Sequence, residues 1–167
     1  DARRVMAVLP KRFAKFGLRL HPEKTRLLRF RPGARQNQRQ EGARSFDFLG
    51  FTFHWGKTPR GGWAVKRKTA SDRLQRAASR IEATCRRDRH RPIMEQHVRV
   101  CRMLKGHYNY FGVPGNGKAL GRLQFLARLA WVKWLKRRSQ KGLSWERAAR
   151  LLEVFTLPKP RTSWSYT

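Results

Sequence analysis

Carboxylates are the residues that could hold catalytic metal ions, and in this sequence they are few and scattered. The 167-residue chain contains ten Asp and Glu against 40 Lys and Arg. Both glycoside hydrolysis and two-metal phosphoryl transfer need acids that converge on one site. No two acids are adjacent or separated by a single residue, and none lies between Glu95 and Glu146. We therefore expect no two-metal site and no enzymatic activity from this chain alone.

Cysteine and histidine form a second candidate set, for zinc. The spacing is Cys-x4-His-x6-His-x3-Cys, formed by Cys85, His90, His97 and Cys101. Zinc modules usually place paired ligands about two to five residues apart. Both cysteines also fall on apolar helix faces, where small buried thiols are common, so core packing is the favoured interpretation. We predict no metal and no cofactor in this chain. No local Ser–His arrangement or phosphate loop marks a catalytic centre.

The basic residues form two rows at helical spacing. An ordinary solvated helix face mixes charges of both signs in pairs four residues apart. From Gln96 to Trp145, by contrast, there are eleven Lys or Arg and no acid, so like charges would repel unless a polyanion neutralised them. The first basic row is Arg73, Arg76, Arg80 and Arg87, and the second basic row is Lys118, Arg122, Lys133, Lys136 and Arg137. We predict that both rows bind nucleic-acid phosphates.

Composition indicates a folded domain with a polyanionic partner. The formal net charge is +30, yet hydrophobic residues make up 40% of the chain and include ten Phe and six Trp. Nucleic acid is the first expected partner and an anionic membrane surface the second. Trp131 and Trp134 could stack on bases, but their helical spacing favours a place in the core. No apolar stretch approaches the roughly 20 residues of a membrane span, and no signal peptide is apparent.

Two cysteines do not make a disulfide framework, which favours a reducing, cytoplasmic setting. The chain begins with Asp1, not Met, and inside a predicted helix. We therefore expect it to be a fragment of a longer protein.

The N-terminal part of the sequence predicts a helix followed by short strands. Apolar residues at helical spacing predict an amphipathic helix over residues 1–16, ending at Gly17 and kinked at Pro10. Two short strands are expected over 18–20 and 26–30, and a mobile loop over 31–45. An aromatic, β-prone segment then predicts a hairpin of residues 46–55 and 63–68.

The C-terminal part is helical by its periodicity. One helix is expected from Ser71 to about Arg87, with Leu74, Ile81 and Cys85 on its apolar face. A second is expected from Pro92, a third from about 118 to 139 and a fourth from 144 to 155. The apolar face of the second is predicted to be Met94, Cys101, Leu104, Tyr108 and Phe111. The fold class is thus α+β and mainly α, with a division near residue 69.

Several segments, in this order, resemble group II intron reverse transcriptases of the bacterial type. Gly17–Thr25, GLRLHPEKT, is similar to a segment near the end of their palm, and Phe46–Phe51, FDFLGF, to the hairpin that follows. Leu104–Asn116, LKGHYNYFGVPGN, resembles the signature of their maturase-specific, or thumb, domain. Arg137–Gln140 and Leu157–Arg161 fit the tail of that domain. The resemblance covers nearly the whole chain.

This resemblance implies a retroelement protein that copies intron RNA into DNA and assists intron splicing. It implies a palm remnant over residues 1–69 and a helical thumb of three to four helices over 70–167. Lys24 matches a palm lysine near the incoming nucleotide, and Phe48, Leu49 and Gly50 match the primer grip. The palm aspartates that hold Mg²⁺ in an intact RNA-directed DNA polymerase would lie upstream, and no zinc-dependent endonuclease module follows.

The partners implied are intron RNA, an RNA/DNA template–primer, and the upstream palm and fingers of the parent protein, with no membrane. The alternative hypotheses are a stand-alone basic RNA-binding or ribosome-associated protein, and an enzyme with unrecognised chemistry among Cys, His and Ser.

Overall fold

The computed structural model describes residues 1–32, 44–138 and 142–162. It contains five helices and a three-stranded antiparallel sheet in the order β1-β2-β3, which confirms the α+β, mainly α class. The elements in chain order are α1 (Ala2–Ala14), β1 (Ser45–Phe48), β2 (Phe51–Lys57), β3 (Trp63–Thr69), α2 (Ser71–Arg87), α3 (Ile93–Phe111), α4 (Gly117–Lys136) and α5 (Trp145–Val154). The chain forms two compact units, one of Asp1–Phe46 and His54–Ala64, the other of Asp47–Phe53 and Val65–Thr167. The predicted domain division near residue 69 stays a prediction.

In the first unit, α1 is present as predicted and includes Pro10, but none of its residues is buried. The strands predicted over 18–20 and 26–30 are wrong, because these residues pair with no strand and carry no strand hydrogen bonding. Phe30 instead packs its ring against Phe46 and Trp55, at centroid distances of 5.0 and 5.3 Å. The loop predicted over 31–45 falls mostly on residues 33–43, which lie outside the described residues.

The predicted hairpin strand over 46–55 is in fact two strands. Leu49 and Gly50 both have positive φ angles, 49° and 79°, and reverse the chain between β1 and β2. Two consecutive residues with positive φ form the tight turn that suits a two-residue hairpin. Gly50 suits the second position of such a turn, but leucine rarely adopts positive φ, so Leu49-Gly50 lacks the Asn-Gly or Asp-Gly signature of this turn.

The core belongs to the second unit, where α2 packs mainly on α4 and α3 packs on both. The predicted apolar face of α2 is confirmed, since Ile81 and Cys85 are each 2% exposed and Leu74 packs against the core. Trp131 is fully buried, as its spacing predicted. The fully or largely buried members of the core cluster are Ile81, Cys85, Val100, Leu104, Tyr108, Leu120, Leu123, Ala127, Trp131, Leu135 and Leu157.

The face predicted for α3 needs one correction, because Met94 is 59% exposed. On an ideal helix Met94 lies about 80° from Leu104, at the edge of the buried face. Gln96 is buried instead, and its side-chain amide forms hydrogen bonds with three groups. Its Nε2 donates to the carbonyl oxygens of Arg89 and Arg91, and its Oε1 accepts from Trp131 Nε1 at 3.1 Å.

Candidate nucleic-acid interface

The first basic row lies on the exposed side of α2, beside the face that packs in the core. On an ideal helix its four arginines fall within about 60° of one another. All four are exposed, and the buried Ile81 and Cys85 hold the opposite side of the helix in place. An arginine guanidinium can donate two hydrogen bonds to a phosphate at once. The row therefore has the chemistry and the exposure that phosphate contact requires.

One carboxylate offsets part of this charge. Asp72 accepts a short hydrogen bond from Arg76 and lies 3.8 Å from the Arg73 guanidinium. The hydrogen bond from Arg76 lowers the pKa of Asp72, with Arg73 contributing to the same shift. Arg80 has no ion-pair partner among the described residues. The start of the row is thus partly neutralised within the protein, whereas Arg80 presents its full charge.

Arg87, the last residue of the first basic row, forms an ion pair that stabilises the fold. The Asp88 side chain is only 4% exposed, and its oxygens accept from Arg87 at 3.1 Å and from Arg99 at 2.8 Å. Burial would raise the pKa of Asp88, but these two arginines outweigh it and the pKa is lowered. A buried charge needs such partners. Arg87 is therefore the member of the row least free to bind a phosphate.

The second basic row lies on α4, and part of it is held by neighbouring aromatic and acidic side chains. Lys133 forms an ion pair with Glu82 of α2 at 2.5 Å. Lys136 stacks over the Trp145 ring at 3.2 Å, and Arg137 lies 5.3 Å from the Trp134 ring centre. Lys118 and Arg122 are exposed and have no ion-pair partner in the described part of the chain. Trp134 packs against the core, so its favoured assignment is confirmed.

Sequence reasoning missed Arg86, which joins the second basic row in space. Its guanidinium lies 5.7 Å from the Trp134 ring centre, and Lys133 and Arg137 lie 5.4 and 5.3 Å from the same ring. Successive residues of a helix are rotated by about 100°, so Arg80 and Glu82 flank the buried Ile81 on opposite sides. Lys133 contacts Glu82 and not Arg80. Lys133 of the second basic row therefore lies on the flank of α2 opposite Arg80.

The residues singled out by resemblance fall in the two units. Phe48 and Leu49 are 57% and 67% exposed at the β1–β2 turn. The turn is held by two hydrogen bonds, from Tyr110 Oη to the Leu49 oxygen at 3.0 Å and from the Ala70 amide to the Gly50 oxygen at 2.9 Å. Lys24 is exposed in a turn of the first unit. The roles of these residues stay predictions.

The zinc ligand set considered from the sequence is not brought together. Cys85 is buried in the core, where burial raises the pKa of its thiol to about 12. Cys101 Sγ lies 3.2 Å from His97 Nε2, but no third ligand joins this pair among the described residues. No group of three or more His, Cys, Asp or Glu residues gathers anywhere in residues 1–32, 44–138 and 142–162. Over the same residues, no helix is long and apolar enough to cross a membrane.

Comparison with known proteins adds no relative: no protein-family model, curated protein or solved structure matches the chain.

Proposed function

We propose that this chain is the RNA-binding C-terminal portion of a group II intron-encoded reverse transcriptase/maturase. In this proposal it cradles the template–primer and the intron RNA during reverse transcription and splicing. The observation that carries the proposal is the first basic row, exposed on a helix whose other side is fixed in the core. The motif resemblance supplies the family, and the charge of the chain supplies the class of partner.

The proposal assigns no reaction to the chain itself. Four carboxylates of the second unit are already held by cations: Asp72, Asp88 and Glu95 by arginines, and Glu82 by Lys133. These residues do not fit a two-metal site, which needs several free carboxylates around one position. Under the proposal, Mg²⁺ belongs to the upstream palm of the intact parent, and the purified chain extends no primer on an RNA template.

The test is a triple substitution, Arg73→Gln with Arg76→Gln and Arg80→Gln. Glutamine has nearly the helix propensity of arginine, so the fold and Tm should be retained. Affinity for structured RNA should weaken for all sequences alike, because phosphate contacts position a nucleic acid without reading it. The slope of log affinity against log salt should fall by about one for each phosphate that the variant no longer neutralises. For six phosphate contacts, the unmodified chain should lose about 10³-fold in affinity between 50 and 200 mM salt.

Two control variants distinguish RNA contact by the first basic row from a general effect of positive charge. Replacement of Arg3, Arg4 and Arg12 of α1 by Gln removes the same charge from another exposed helix. This variant should lower the slope of log affinity against log salt by less than the triple substitution of Arg73, Arg76 and Arg80 does. Asp72→Asn releases Arg73 and Arg76 from their acid, so RNA affinity should rise. An intact triple variant with unchanged affinity and slope would show that the first basic row is only a solvated surface.

A further inference from the structure

A groove runs between α3 and the segment that follows α5, and no member of either basic row is among its described lining residues. Lys105, Tyr108 and Asn109 of α3 line one side, and residues 156–159 with Arg161 line the other. Its volume is about 980 Å³. Small-molecule sites usually measure about 300–1,000 Å³, so the groove has room for a nucleotide. We call it the α3–tail groove.

The tail side of the groove is held in place by side chains from two helices. His97 Nε2 of α3 donates to the Thr156 oxygen at 2.9 Å. Gln124 Nε2 of α4 donates to the Pro158 oxygen at 3.1 Å. Leu157, between them, is only 9% exposed and belongs to the core cluster. The tail is thus a formed wall with the ring of Pro158 on the groove.

The charge lining the groove is of one sign. Lys105, Lys159 and Arg161 line it, and no carboxylate is among its described lining residues. None of the three cations has an ion-pair partner within the described residues. Arg102 and Cys101 extend the lining toward the N-terminus of α3. The groove therefore offers an uncompensated positive rim beside an apolar wall.

One buried polar group in this lining has no partner. Tyr108 is 7% exposed, and its Oη makes no hydrogen bond to any described residue. Burial, with a smaller contribution from Cys101, raises the pKa of Tyr108 to about 12, so the hydroxyl keeps its proton. A buried hydroxyl without a hydrogen-bond partner is uncommon, and a bound ligand would supply the missing partner. A hydroxyl can both donate and accept, which suits the edge of a nucleobase.

We propose that the α3–tail groove binds one unpaired nucleotide of the RNA, with the base between Pro158 and Tyr108 Oη and the phosphate on Lys105, Lys159 and Arg161. The inference rests on the proposed RNA-binding function and extends it. The basic rows would hold the phosphate backbone, whereas the groove would select for a single-stranded nucleotide. Sequence-specific recognition of RNA commonly uses such unstacked bases.

The test compares a blunt RNA duplex with the same duplex carrying a short single-stranded tail. The unmodified chain should bind the tailed probe more tightly. Tyr108→Phe removes only Oη, so it should weaken the tailed complex about five- to tenfold, the size of one hydrogen bond, and leave the blunt complex unchanged. Its Tm should be equal or higher, because Oη has no hydrogen-bond partner among the residues that the structure describes. Arg161→Gln should also weaken the tailed complex selectively, whereas Arg150→Gln on α5 is the control for the removal of one positive charge.

The outcomes separate the two proposals. Blunt and tailed probes bound equally, or a Tyr108→Phe variant that binds like the unmodified chain, overturn the groove proposal and leave the basic rows intact. If neither probe binds, the proposed RNA-binding function fails. The groove is then judged by titration with uridine and adenosine monophosphates, which should bind the unmodified chain about five- to tenfold more tightly than the Tyr108→Phe variant. If inorganic phosphate or an acidic peptide displaced the tailed RNA probe from the chain as readily as these nucleotides do, the result would contradict nucleotide recognition.

Discussion

Asn116 joins three elements of the second unit, and its replacement should be strongly destabilising. The side chain is 1% exposed. Its Oδ1 accepts from the Thr69 amide, and its Nδ2 donates to Thr69 Oγ1 and to the Phe111 oxygen, each at 2.8 Å. These contacts tie the end of β3 to the end of α3 at the residue that precedes α4. We therefore expect Asn116→Ala to destabilise the whole second unit.

The size of the effect follows from the groups left unpaired. Asn116→Ala leaves two buried groups of Thr69, its N–H and its Oγ1, without the Asn116 partner, whereas the Phe111 carbonyl keeps a hydrogen bond from the Val113 amide at 2.8 Å. Each costs about 1–3 kcal/mol when buried without a partner, so the expected loss is about 2–6 kcal/mol. Typical domains have only about 5–15 kcal/mol of stability. Tm should fall by at least about 4 °C in a chain of this length.

The assay is chemical denaturation followed by circular dichroism, with Asn109→Ala as the matched control. Asn109 is an exposed asparagine of α3, so its replacement should change stability little. Thr69→Val provides a second check. This substitution should lower the free energy of unfolding of the unmodified chain. The decrease should be smaller in the Asn116→Ala background, because there Thr69 Oγ1 has already lost the Asn116 Nδ2 donor. An Asn116→Ala variant as stable as Asn109→Ala would refute the view that this cluster holds the elements together.

Two further predictions concern the C-terminal part of α3 and the start of α4. Burial lowers the pKa of His107 below its ordinary value of 6.5, so the unfolded chain takes up a proton that the native chain resists. Stability should therefore fall as pH drops below 6.5, and thermal melts should show a smaller fall in His107→Phe. Gly112→Ala should destabilise by about 1–3 kcal/mol, because the new Cβ would meet the carbonyl oxygens of Tyr108 and Arg161. Gly121→Ala meets nothing within 4 Å and should stabilise by about 1 kcal/mol; equal denaturation midpoints for the two would contradict this.

The sequence by itself determined the helices of the second unit, because their apolar residues recur with the period of a helix. The helix predicted from Ser71 to about Arg87 is observed over those residues. The positions of Trp131 and Cys85 in the core follow from the same periodicity, because a helix that buries one face must bury the residues on it. The composition likewise determined that the molecule carries a large positive charge.

Local patterns were insufficient where the result depended on a partner. A strand needs another strand to accept its hydrogen bonds, and residues 18–20 and 26–30 have none. The turn at Leu49 depends on contacts with the rest of the unit, including the hydrogen bond from Tyr110, which lies far along the chain. Gln96 is buried because Trp131 and two backbone carbonyls meet its amide, and no pattern around a glutamine indicates this.

Only the tertiary structure decided how the basic and polar groups are distributed. The sequence places Arg80 and Lys133 on two helices, but the packing of α2 on α4 puts Lys133 beside Glu82 and hence on the opposite flank of α2 from Arg80. The α3–tail groove brings Tyr108 beside Arg161, residues separated by two helices. Such contacts arise from packing between distant segments, which the periodicity of either segment does not specify.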